Sequence, residues 1–128
     1  MKKSIIFVLF LVLSLYCINI NVNACTSPEG QYLMEYSDYE NIVPDNINEL
    51  KIIRYTEGGA AEKIIKDKAQ IKEFYNMLKQ IKIGSKTTCG CTDNTTIYSF
   101  KLNDNSIQQI EIECDWVIIK NQNYWIKK

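Results

Sequence analysis

The sequence predicts an α+β fold: an antiparallel sheet of about five strands, ordered ββα and then a β-meander, with one helix packed on one face. Three observations predict it. Residues 67–82 place apolar side chains every three or four positions, which makes one stripe on a helix. The stretches on either side are short runs rich in β-branched and aromatic residues, as strands are. Turn residues separate those runs at short intervals, which suits strands joined as antiparallel neighbours.

Leu50-Lys51-Ile52-Ile53-Arg54-Tyr55 reads as the first strand and Glu62-Lys63-Ile64-Ile65-Lys66 as the second. Gly58-Gly59 lies between them and tolerates positive φ, so the pair reads as a hairpin. A phosphate-binding loop is excluded, because no Gly-Lys-Ser/Thr and no helix directly follow the glycines. Asp67-Lys68-Ala69-Gln70 has the spacing of a capping box and opens the helix. Ile71, Phe74, Tyr75, Leu78 and Ile81 form its apolar stripe, and Gly84 is the expected stop. A polar loop through Asn94 follows. Thr95 to Leu102 then puts Tyr98, Phe100 and Leu102 on one strand face. Ile107 to Ile119 carries Ile110, Ile112, Cys114, Trp116 and Ile118 on one face, with Glu111, Glu113 and Asp115 on the other. Trp116 and Val117 mark a bulge or the start of another strand. Tyr124-Trp125-Ile126 closes the chain as a final strand after the turn Asn121-Gln122-Asn123.

The connection after Leu102 fixes a register. A two-residue turn at Asp104-Asn105 sets Tyr98 opposite Glu111 and wastes the apolar face. An odd loop does not. Three residues place Tyr98 opposite Ile110, five place Phe100 there, and an Asn accepts the left-handed conformation such loops need. Either odd loop sets Cys114 opposite Asn94 or Thr96, a few residues from Cys91.

Little in the chain suggests catalysis. It has no histidine, which excludes Ser-His and Cys-His nucleophiles and histidine-based zinc sites. A lone arginine, Arg54, excludes a clamp of several arginines on phosphate. The alternating Glu111, Glu113 and Asp115 read as the solvated side of a sheet rather than a pair of glycosidase carboxylates. The expectation is a protein that is not an enzyme and takes no cofactor. Cys89-Gly90-Cys91 with Cys114 is the one cluster with chemistry in it. Its spacing is neither the Cys-x-x-Cys of a redox motif nor that of a zinc site, so no metal is expected and disulfide stapling is. A Cys89–Cys91 bond would close a strained ring, which leaves Cys114 bonding to the loop, with Cys91 favoured over Cys89.

The N-terminal stretch sets the compartment. Met1-Lys2-Lys3 precedes a nearly unbroken apolar run from Ile5 to Ile18. As a helix that run spans about 21 Å, short of the roughly 30 Å hydrocarbon core, which suits a signal peptide better than a membrane span. Residues 1–24 are the expected signal peptide, 25–49 an acidic tether or arm, and 50–128 the α+β domain. The arm holds six acids and no base, whereas residues 50–128 hold 13 bases and nine acids. That balance is too mild for binding nucleic acid through its phosphates.

Val22-Asn23-Ala24-Cys25 resembles the bacterial lipobox: Ala24 and Cys25 match it, and Val22 is a branched substitute. The resemblance implies a lipid on Cys25 and a membrane attachment through it. The simpler alternative is secretion, with Cys25 tied to the remaining loop cysteine. Ile, Asn and Lys supply 20, 12 and 14 residues against a single Arg, a bias toward A/T-rich codons. In layout the chain is similar to small exported lipoprotein-like proteins of low-GC Gram-positive bacteria. That implies the outer face of the cytoplasmic membrane, or the extracellular space, and an unidentified protein or envelope partner. Three functions are consistent with it. The leading one is a non-catalytic surface or secreted binding module. The others are an inhibitor or toxin-like factor acting on an external protein, and thiol-redox or metal chemistry at the Cys89-Gly90-Cys91 loop.

Overall fold

The computed structural model describes residues 27–88 and 94–127. The fold is α+β, with one α-helix and a seven-stranded antiparallel sheet among those residues, two strands more than the sequence suggested. The strands are β1 (Ile47–Thr56), β2 (Gly59–Ile65), β3 (Lys82–Thr87), β4 (Asn94–Leu102), β5 (Ile107–Glu113), β6 (Trp116–Ile119) and β7 (Gln122–Lys127). Their order across the sheet is β2-β1-β4-β5-β6-β7-β3. Helix α1 (Lys68–Lys79) connects the two outermost strands, so the chain crosses the whole sheet between them.

Local chemistry explains most of these elements. The β1–β2 hairpin closes at Thr56↔Gly59, where Gly59 holds φ at +123°, a value open to glycine. Asp67 caps α1 by accepting a hydrogen bond from the Gln70 amide at 2.9 Å. Ile71 and Leu78 are fully buried along its inner stripe, flanked by half-buried Phe74, Tyr75 and, just beyond the helix, Ile81. The β4–β5 loop is the three-residue one: Tyr98 pairs with Ile110, and Asn105 takes φ +65°. Lys120 and Asn121, both at positive φ, form the tight turn from β6 to β7.

Three expectations need correction. The loop after the helix contains β3, which pairs with β7 at Lys82↔Lys127 and Ile83↔Ile126. Gly84 is therefore inside a strand rather than a helix stop: a Cβ there would stand 2.8 Å from the Trp125 carbonyl oxygen. Second, of the two readings open at Trp116-Val117 the structure has the new strand, joined by the turn Cys114-Asp115 with Glu113 opposite Trp116, and it is the single-face assignment from Ile110 to Ile118 that fails. The turn changes parity. Val117 and Ile119 therefore face the core, and Trp116 and Ile118 share the other face with Glu111 and Glu113.

The third concerns the arm. Leu33, Met34, Tyr36, Tyr39 and Ile42 are buried in the core, so the described part of the arm is packed into the domain rather than a tether outside it. Two 3₁₀ turns, Leu33–Glu35 and Ser37–Tyr39, carry most of them, and a third, Pro44–Asn46, leads into β1. Hydrogen bonds of 2.8 Å tie Gly30 to Ile83, Ile83 to Gln31 and Leu33 to Ile81, laying the arm along the outer edge of β3. At its far end the Asn103 amide donates to the Asn46 carbonyl at 2.9 Å.

The core lies between one face of the sheet and a layer made of α1 and this arm. From the sheet it takes Leu50, Ile65, Phe100, Ile110, Val117 and Tyr124. Among the described residues, neither the helix nor the arm lies over the opposite face of the sheet.

Candidate functional site

The open face is built by cross-strand rows. One row runs Tyr55, Thr95, Glu113, Trp116, Trp125 across β1, β4, β5, β6 and β7. The next runs Glu62, Ile53, Ile97, Glu111, Ile118, Asn123, beginning one strand further out on β2. Aromatic and aliphatic side chains thus stand beside carboxylates on a face that alternation alone would have made polar. Tyr55 is 45% exposed and Trp125 38%. Trp116 and Trp125 meet edge to face with ring centroids 5.2 Å apart, the arrangement the ring quadrupoles favour. Trp116 is only 7% exposed, and its indole N–H has no hydrogen-bond partner among the described residues. Buried donors of that kind are uncommon.

Cys114 borders this face at the β5–β6 turn. It is partly buried, takes φ +51°, and donates its amide to the Asn94 carbonyl at 2.9 Å. A left-handed conformation in a residue with a Cβ costs about 1 kcal/mol. Asp115 is exposed in the same turn, its carbonyl accepting from the Ile126 amide at 2.9 Å. The structure therefore brings Cys114 to the start of β4, immediately after the segment that carries Cys89 and Cys91. Those two cysteines, and Cys25, lie outside the described residues. Among the described residues no cluster of three or more Cys, Asp or Glu is placed to hold a metal ion.

Elsewhere the titrating groups serve the framework. Burial pushes the Tyr39 phenol up to about 12, helped by the negative charge of Asp38. Burial also raises Tyr98, partly offset by the Arg54 guanidinium. Hydrogen bonds from the Ser106 hydroxyl and amide hold Asp104 below the usual carboxylate range in the β4–β5 loop. Lys120 is raised by Tyr36 and by Asp38, 3.7 Å away, and so pins the β6–β7 turn to the arm. A recess of about 350 Å³ opens between Pro44-Asp45 and the start of α1, lined by Lys68, Ala69 and Lys72. Its charges are mixed.

The sequence reading missed the two tryptophans because it placed Trp116 with the core-facing residues of one long strand. The Cys-Asp pair between alternating runs was the available sign of a turn and a change of face. Comparison with family models, with curated proteins and with solved structures finds no match.

Proposed function

We propose that this chain is an exported, non-catalytic binding module, held at the outer face of the cytoplasmic membrane by a lipid on Cys25. It engages a protein or envelope component through the open face of its sheet. The observation that carries this reading is the row Tyr55, Thr95, Glu113, Trp116, Trp125, which presents the exposed rings of Tyr55 and Trp125 beside a carboxylate on a face that, among the described residues, neither the helix nor the arm covers. Aromatic residues are enriched at recognition surfaces because they bring large contact area at small entropic cost.

The remaining cysteines staple the module. Cys114 bonds to the Cys89-Gly90-Cys91 loop, with Cys91 the preferred partner. Support comes from the Cys114–Asn94 pairing, which sets Cys114 beside the strand that follows the Cys89-Gly90-Cys91 segment in sequence. Closing a loop of about 22 residues contributes roughly 3 kcal/mol, a large share of a small domain's stability. In this reading the thiols are structural and carry no redox or metal chemistry.

Crosslinking on intact cells, followed by capture of the protein, tests the binding role. The wild type should give a discrete crosslinked species that a Tyr55→Ser/Trp125→Ser variant loses while keeping its circular dichroism and melting temperature. An adduct unchanged in that variant would rule out the open face as the binding surface.

A further inference from the structure

The two edges of the sheet are treated differently. The arm lies along the outer edge of β3, from Gly30 to Leu33. At the other end of the sheet stands β2, and among the described residues no strand pairs with its outer edge. Residues Gly59 to Ile64 are all exposed, and Ile64, a large apolar side chain, is 50% exposed. An edge of this kind offers unpaired backbone groups to another chain. We propose that β2 pairs antiparallel with β2 of a second copy of this chain, about a twofold axis at Ile64, joining two sheets into one. The proposal is independent of what the open face binds.

Symmetry limits the registers, and charge selects among them. A twofold axis perpendicular to the sheet keeps each face on its own side, and directly opposed residues in an antiparallel pair share a face. Each allowed register is therefore centred on one residue facing its own copy. Centring on Glu62 opposes two carboxylates, and centring on Lys63 opposes two ammonium groups. Centring on Ala61 sets Ala60 against Glu62 and Gly59 against Lys63, leaving the charges without cross-chain partners. Beyond Ile65 the chain turns into α1. Centring on Ile64 sets the two exposed isoleucines against each other and Glu62 against Lys66 of the second copy, twice by symmetry.

The intrachain ion pairs extend this arrangement. Glu62 already lies 3.5 Å from Lys51, and Lys66 lies 3.5 Å from Glu49. Across the joint the charges then alternate: Lys51, Glu62, Lys66 of the second copy, and its Glu49. A single strand pair buries less than the roughly 1,200 Å² of a standard interface, so the dimer is weak and reversible.

The test uses residues 27–128, which contain every buried residue of the described core and omit the apolar N-terminal run. Sedimentation equilibrium across a dilution series should show a monomer–dimer equilibrium. Ile64→Lys, at an exposed position, should make the protein monomeric with unchanged circular dichroism and melting temperature. Glu62→Lys and Lys66→Glu should each weaken the dimer by about tenfold, and the double exchange should restore it. A wild type that is monomeric at every concentration would overturn the proposal. So would a dimer indifferent to Ile64→Lys, or a double exchange that fails to restore association.

Discussion

Cys114 stands directly across from Asn94, its amide donated to the Asn94 carbonyl at 2.9 Å. Asn94 opens β4, and Cys91 precedes it by three residues in the sequence, so the β4–β5 register sets Cys114 across from a residue only three positions after that cysteine. With Cys25 acylated, three cysteines remain after the leader and one bond leaves an odd thiol. Titration of the denatured, unreduced protein should find one free thiol. None would indicate a secreted form with Cys25 in a second bond, and three would refute stapling.

The core should be sensitive where the sheet is most enclosed. Phe100 is fully buried, opposite Leu50 on one side and Gln108 on the other. Phe100→Ala should cost about 3–5 kcal/mol, from lost burial and from the cavity left behind. Urea denaturation checks this. A loss below about 1 kcal/mol would contradict the assigned packing.

Two glycines should behave in opposite ways. Gly84→Ala places a Cβ against the Trp125 backbone, 2.8 Å from its carbonyl oxygen, and should destabilise the fold by about 1–3 kcal/mol through a forced shift between β3 and β7. Gly58→Ala meets only the Thr56 hydroxyl at 3.8 Å and should change stability by less than about 1 kcal/mol. Thermal melts of the two variants distinguish them, and equal effects would contradict the close β3–β7 contact.

Tyr39 predicts an alkaline limit. Its ordinary value is 10.0, and burial, followed by Asp38 and Tyr36, raises it to about 12 in the folded protein. The folded state therefore holds this proton more tightly than the unfolded chain. The stabilisation is full below pH 10 and is lost as pH rises from about 10 to about 12. Tyr39→Phe should flatten the decline over that window in alkaline unfolding, and an unchanged pH profile would show that Tyr39 does not govern it.

The helix, the first hairpin and the β4–β5 register were legible because each rests on a local signal: a stripe, a glycine pair, and an apolar face that only odd loops preserve. Strand β3 gave none. Lys82–Thr87 is short and largely polar, and pairing with β7 makes it a strand. The arm gave two competing signals: Tyr32, Leu33, Tyr36 and Tyr39 at near-helical spacing, which fits an element lying on the domain, and turn residues with six acids and no base, which fit a solvated tether. Leu33, Tyr36, Tyr39 and Ile42 recur at every third position, the period of the 3₁₀ helix, and that regularity was the sign of a buried face. At the candidate site Cys114 could be placed from register alone. Trp116 could not, because its face depends on a two-residue turn whose first residue, a cysteine, adopts positive φ against its usual preference.

Attachment through a lipid on Cys25 is the central claim about where this protein acts. Growth of the source cells with a labelled fatty acid, followed by detergent phase partitioning of wild type and Cys25→Ala, tests it directly. The wild type should carry the label and enter the detergent phase, while Cys25→Ala should be unlabelled and released to the medium. An unlabelled wild type that stays in the aqueous phase, with a free Cys25 amino terminus, would contradict it.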